Sequence, residues 1–403
     1  MLWFRNLIWA TLLATVAAAQ TPSTLDYTQW RGNGRDGSAS GFIPPAEWPD
    51  RLTRGWSVDV GEGYGTPLVV GAVVYAFTRR GSDEVLTALN AADGRELWRS
   101  AYAAPYEVGQ PAAAHGAGPK ATPLFYRGKV FTCGVSGIVA AFDAATGKKL
   151  WSTPPPGEAP YFSAAASPVA DEGLVITHPG NYEPLTAFDV DTGAVKWVAG
   201  GEGLFASPII ATFDGQRQVI SATSRSTAGV SLPDGRLLWE YPFQNNGGIT
   251  PVLHGGAVIV SGLDLGVAAI KPVKRSEQWT VETVWQTKAV SMYLSNPVVL
   301  GGTLFGLSHR ASGQYFALDA ASGATLWLGP PRQAANTAVV KAGSWLLLLD
   351  DDGVLTIVRS SRDRLEVEKR YTVSASSTWA QPAVSGRRIF IKDVKSLTLW
   401  TVE

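Results

Sequence analysis

One phrase recurs along most of this chain and constrains its fold before any other feature is weighed. An apolar alternating run leads into Asp-x-x-(Thr/Ser)-Gly, and a Trp follows after three intervening residues. Val139–Trp151 (VAAFDAATGKKLW), Leu185–Trp197 (LTAFDVDTGAVKW) and Phe316–Trp327 (FALDAASGATLW) repeat it nearly letter for letter, and Leu86–Trp98 is a further copy. Repetition at a fixed period marks an array of like structural units, each too small to bury its own apolar face.

A second marker runs in step with the first. A small or polar residue precedes Pro, and then come a short strand-like run, a Gly turn and another run. The pairs are Thr66-Pro67, Thr122-Pro123, Ser167-Pro168, Ser207-Pro208, Thr250-Pro251, Asn296-Pro297 and Gln381-Pro382, while Asn336-Thr337 holds the corresponding place without Pro. The seven intervals from Pro67 to Pro382 average about 45 residues, and the five from Trp98 to Trp327 about 46. Each unit carries four alternating segments of strand length, rich in β-branched residues. Four strands in 40–50 residues is the signature of a propeller blade. A helical solenoid is excluded because no 3.6-residue apolar period is present.

The expected fold is therefore all-β, an eight-bladed β-propeller with four-stranded blades. The last unit, from Ala383 to Glu403, offers only three strands, whereas Gly55–Val60 is a strand with a Trp and no blade of its own. Pairing the two closes the last blade with an N-terminal strand and removes an open sheet edge. Two blades are degenerate: Lys271–Trp285 lacks the Asp-Gly turn, and Arg359–Tyr371 lacks both turn and Trp. In the intact units Asp and Gly serve a tight turn. Trp98, Trp151, Trp197, Trp239, Trp285 and Trp327 are read as structural, each packing its ring on the neighbouring blade.

The N-terminus reads as an export signal: a cation at Arg5, an apolar run over Leu7–Val16, and Ala17-Ala18-Ala19 before Gln20. Residues 1–19 are thus assigned as a signal peptide, 20–55 as an N-terminal extension and 56–403 as the propeller. The expected location is periplasmic or extracellular, without a membrane anchor, since no Cys follows the apolar run to take a lipid. Lys plus Arg and Asp plus Glu both number 34, so no basic field draws the protein to nucleic acid. A monomer is expected. The lone Cys133 lies in an apolar strand and reads as a buried structural thiol.

The repeated phrase resembles that of the pyrroloquinoline-quinone dehydrogenases and of BamB-like outer-membrane assembly proteins, over about 340 residues from Trp56 onward. Upstream, Trp30–Gly37 (WRGNGRDG) resembles the leader of secreted quinone-repeat-like proteins. The resemblance implies the propeller fold. For the dehydrogenases it also implies a quinone, with calcium held by Glu, Asn and Asp beside a vicinal disulfide. One Cys cannot form that disulfide and no position fits the calcium set, so no cofactor is expected and pyrroloquinoline quinone with calcium lacks its ligand residues.

The four His residues are dispersed without metal-ligand spacing. Asp350-Asp351-Asp352-Gly353 lacks the ladder of a calcium loop, and no nucleophile elbow, phosphate loop or dinucleotide fingerprint occurs. Topology directs the search instead to the channel face, where the connections between blades meet those between second and third strands. The connection Tyr102–Ala121 is about ten residues longer than its counterparts and carries His115 and Lys120. The candidate ligand-binding residues are His115, Lys120, Tyr161, Asn246, Tyr293, Arg310 and Trp379. No catalytic or metal residue is assigned. The expected function is a binding or scaffold module that recognises a protein or small ligand with this face. A quinone-dependent or other oxidoreductase sited at the channel mouth is one alternative, and an outer-membrane protein assembly factor is another.

Overall fold

The computed structural model describes residues 23–156 and 160–403; the expected signal peptide at 1–19 lies outside them. Eight antiparallel four-stranded sheets follow one another along the chain. Blades 1 to 7 span residues 68–103, 124–152, 169–199, 209–241, 252–287, 298–328 and 337–372. Blade 8 consists of Ala383–Ser385, Arg388–Lys392 and Ser396–Thr401, completed by the N-terminal strand Thr53–Asp59, which pairs Ser57 with Thr398. The chain is an eight-bladed propeller whose last blade is closed from the N-terminal side. That strand joins the two ends of the ring, so opening it requires breaking a sheet.

The apolar core lies between blades. Leu68, Phe77 and Leu86 of blade 1 pack against Val130, Ala140 and Phe142 of blade 2, and equivalent clusters recur around the ring. The tryptophans cover the outer margin of these interfaces. In blades 1 to 3 and 6 the Trp stands across the sheet from Ala88, Ala141, Ala187 or Ala317, and the pairing slips by one residue beside it. The small partner makes room for the indole, and the bulge adds local twist.

Five of the rings then lie over a glycine in the next blade's Asp-Gly turn, whereas Trp327, facing a blade without that turn, donates to Ser361 O. Trp98 covers Gly147, Trp151 covers Gly193, Trp197 covers Gly235, Trp285 covers Gly323, and Trp56 of blade 8 covers Gly94 of blade 1. The indole N–H groups of Trp56, Trp151, Trp197 and Trp285 donate to the turn carbonyls of Ala91, Val190, Leu232 and Ala320. The Asp side chain builds the turn that receives the ring. Asp189 accepts from the N–H and the hydroxyl of Thr192, and these bonds hold its carboxyl down at about 2.

Trp239 packs in the cluster between blades 4 and 5 but finds no Asp-Gly turn there. Blade 5 has a long hairpin, Gly266–Arg275 with Gln278–Thr287, in place of the Asp-Gly turn. With no turn to cover, Trp239 folds onto Gly229 of its own blade and donates to Gln218 Oε1 at 2.7 Å. A Gly stands at position 229 where blades 1 to 3, 5 and 6 have Ala.

At the waist of the channel the residues that precede Pro form a polar belt. The N–H of Thr66 donates to Thr122 Oγ1, that of Thr122 to Ser167 Oγ, that of Ser167 to Ser207 Oγ and that of Thr250 to Asn296 Oδ1, at 2.7–3.0 Å. Thr337 N–H donates to Ser295 Oγ, which bonds Asn336. Each bond crosses from one blade to the next, so a hydroxyl or amide is required at this place. The following Pro has no N–H to leave unpaired on the innermost strand edge.

This packing yields a differential prediction. Gly193 has φ +72° and a Cβ there would lie 2.6 Å from the Trp151 ring, whereas Gly71, at φ +58°, faces open space. Both Gly193→Ala and Gly71→Ala incur the left-handed backbone cost of roughly 1 kcal/mol. Gly193→Ala should lose a further 1–3 kcal/mol or so from the displaced indole. Unfolding by denaturant checks this: its midpoint should fall clearly further for Gly193→Ala.

Candidate functional site

Seven connections from an outer strand to the next inner strand, together with the segment that follows Thr53–Asp59, converge at one end of the ring around a cavity of about 500 Å³. Every one of the eight contributes to its lining: Tyr64, then His115 and Lys120, Phe162, Phe205, Asn246, Tyr293 with Leu294, Asn336 and Trp379. Tyr182 joins from a connection between second and third strands. The cavity is a funnel whose wall holds one short segment from each blade.

Blade geometry places these side chains. Tyr64, Lys120, Ala165, Phe205, Leu294 and Trp379 each lie two residues before a residue of the polar belt or its equivalent. The belt pins the backbone, and the side chain two positions upstream then points into the funnel mouth. Phe162 is held by Asn181, which accepts from its N–H at 2.7 Å and donates to Ser163 O. It meets Phe205 edge to face at 6.0 Å. Across the funnel, His115 meets Trp379 edge to face, with ring centroids 4.5 Å apart.

The long connection is ordered by its own contacts. A short 3-10 helix, Gln110–His115, ends at Gly116. Tyr64 N–H donates to Pro119 O, Tyr106 OH to Pro160 O, and Lys120 Nζ to the carbonyls of His115 and Gly116. The Lys120 ammonium also lies 4.9 Å from the centre of the Tyr64 ring. Lys120 therefore fixes His115 against Trp379 with two of its three donors occupied. Burial draws its pKa down to about 8, and burial with the nearby Lys120 charge lowers that of His115. Beneath it Lys392, almost wholly buried, donates to the carbonyls of Gly63, Asp393 and Val394, and burial draws it down to about 7.

Five of the seven candidates are brought together in the funnel: His115, Lys120, Asn246, Tyr293 and Trp379. The other two stand outside its lining. Tyr161 is exposed on the rim, 4.9 Å from Phe162 between ring centres. Arg310 opens the short turn Arg310–Ser312, next to His309, whose ring bonds Ser291 O. Tyr64, Phe205, Leu294 and Asn336 line the funnel although none is among the seven. Counting three residues back from each repeat Pro finds the first three.

The wall is aromatic and amide in character, and among the described residues none of its lining groups is a carboxylate. Such a surface offers π faces, apolar area and a few amide donors and acceptors, which suits an extended apolar and aromatic segment. The family model described as outer membrane protein assembly factor BamB matches residues 53–115 and 82–329. The chain belongs to that family. BamB of Yersinia pestis is 22% identical over 371 residues, covering 87% of this chain and 88% of that one. BamB of Shewanella oneidensis is 26% identical over 361 residues, covering 84% and 85%. The crystal structure of BamB from Moraxella catarrhalis shares the fold at a TM-score of 0.65 and 17% identity, covering 87% of this chain and 97% of that one.

This BamB-family propeller is also similar to quinone enzymes over part of its length. The dehydrogenase subunit of the quinone alcohol dehydrogenase of Komagataeibacter europaeus is 31% identical over 160 residues, covering 36% of this chain and 21% of that one. The residues present do not fit a quinone with calcium. Among the described residues no three His, Cys, Asp or Glu side chains are grouped to hold a metal. Cys133, the single Cys, is buried with its pKa pushed up to about 12.

Lys392 gives the site a pH signature. The unfolded chain keeps this proton up to about 10.5, whereas the folded protein releases it near 7. Unfolding therefore takes up a proton in that window, and the group's contribution to stability grows as pH rises from 7 to 10.5. Lys392→Met should flatten the rise of the unfolding midpoint between pH 7 and 10 relative to the unaltered protein. Thermal unfolding across that range measures it.

Proposed function

We propose that this chain is an exported binding module of the BamB type that holds an apolar and aromatic segment of a protein client in the funnel, in the service of outer-membrane protein assembly. The observation that carries the reading is the funnel itself: all eight blades converge on one concave aromatic wall. A wall of that kind recognises side-chain character and tolerates variation in sequence, as a factor serving many unfolded chains must. The family description and the relatives' names, outer membrane protein assembly factor BamB, support the client class. The export signal read over residues 1–19 fits the compartment in which such clients travel.

The edge-to-face pairs His115–Trp379 and Phe162–Phe205 preset the wall, so binding immobilises few side chains. The test is titration of the protein with a peptide from a membrane-spanning strand of an outer-membrane β-barrel, followed by indole fluorescence and calorimetry. Binding should saturate. Trp379→Ala and Phe205→Ala should each weaken it at least tenfold, in line with aromatic anchors worth about 2 kcal/mol, while Trp239→Phe, distant from the funnel, should leave it unchanged. Affinity in both funnel variants equal to that of the unaltered protein would refute the assignment.

A further inference from the structure

The segment ahead of the ring does not lie beside it. Residues 26–43 cross the channel from the end opposite the funnel and bond to every blade. Asp26 Oδ1 accepts from Gly71 N–H and Tyr27 exchanges backbone bonds with Val69, both in blade 1. Thr28 O accepts from Phe125 in blade 2. Arg35 donates to Ser167 O and Pro168 O at the head of blade 3 and to Pro208 O at blade 4. Trp30 Nε1 donates to Thr250 Oγ1 in blade 5, and Arg31 to Pro297 O at blade 6. Asp36 pairs with Lys341 of blade 7 at 2.7 Å, and Ile43 N–H donates to Gly386 O in blade 8.

The motif WRGNGRDG has a physical account in this knot. Arg31 and Arg35 adopt φ +64° and +56°, and Asn33 Oδ1 accepts from the N–H and the hydroxyl of Thr28. A Cβ on Gly32 would lie 2.2 Å from Ser38 O, and one on Gly37 would lie 2.4 Å from Val298. The two guanidinium groups are buried and reach the carbonyls of the repeat prolines Pro168, Pro208 and Pro297. Those carbonyls head the innermost strands, where no fifth strand exists to take them. A buried cation held by several carbonyls is costly to remove once seated, because both sides are left unsatisfied.

We infer that residues 26–43 act as a built-in ligand of the ring: an axle that holds the eight blades together at their centre and closes the channel at the end opposite the funnel. The axle meets the polar belt at Thr250, at the Ser167 carbonyl and, through Tyr27 OH, at Gln381, so it ends against the waist from below. The further consequence, which rests on the funnel being the binding site, is that the funnel is blind. Its occupant is then a chain end, a tip or a short stretch admitted from one mouth, and a chain threaded through the ring is ruled out.

The test separates the axle from the ring after folding. A specific protease site placed between the exposed Ala46 and Glu47 allows the purified full-length protein to be cut. The cut segment should co-elute with the ring in gel filtration, and Arg35→Met should release it at least tenfold faster. Trp30→Phe, which removes the indole donor and keeps an aromatic ring, serves if Arg35→Met does not fold. Trp379→Ala should leave retention unchanged, so failure of the funnel reading and failure of the axle are told apart. Loss of the cut segment from the otherwise unaltered protein, with hydrogen exchange of the blades unchanged, would overturn the inference.

Discussion

Each docked tryptophan lies against a glycine in the turn of the following blade, and this contact sets the distance and angle between blades. In blades 1 to 3 and 5 three things accommodate the indole: a small residue opposite it in its own sheet, a bulge beside it, and a glycine without a Cβ on the neighbour. Ala187, the slip after it and Gly235 supply them for Trp197. The same contact recurs at five of the eight interfaces, including the one between the last blade and the first, where Trp56 covers Gly94. The strand Thr53–Asp59 fastens that closure.

Inside that outer contact the ring is held by polar groups. The belt of hydroxyls and amides before the repeat prolines joins neighbouring blades, and the Arg-rich N-terminal segment takes the carbonyls just beyond it. The two devices differ in reach: the belt links blade to blade, and the axle links every blade to the centre. Where the belt bond between blades 4 and 5 would fall, the Thr250 hydroxyl accepts instead from Trp30 of the axle. The scaffold around the funnel is consequently fixed from outside and from beneath, which leaves the funnel wall free to vary in side chain.

The architecture was legible in the sequence because its two markers are periodic and independent. Blade count, strand count and the closing strand all follow from spacing. The fate of Trp239 did not follow, since its position obeys the repeat while its docking depends on a turn that the next blade lacks. The site was legible in part. Topology pointed to the channel face, and His115, Lys120, Asn246, Tyr293 and Trp379 do share the funnel, whereas Tyr161 and Arg310 stand outside its lining. Lys120 also bonds the carbonyls of its own loop. The axle was legible only as a motif: WRGNGRDG stood out, but its role did not, because its arginine bonds run to carbonyls on blades up to 266 residues away.

Fold and site together make one claim about function: recognition occurs in the funnel, where segments from all eight blades meet, and the opposite end is sealed by the chain itself. Hydrogen exchange of the full-length protein with and without an unfolded outer-membrane β-barrel protein tests this most directly. Protection should gather in the segments around Tyr64, His115, Phe162, Phe205, Tyr293 and Trp379, with the Asp-Gly turns at the opposite end unchanged. Protection confined to those turns or to the outer strands, with the funnel segments unaffected, would contradict it.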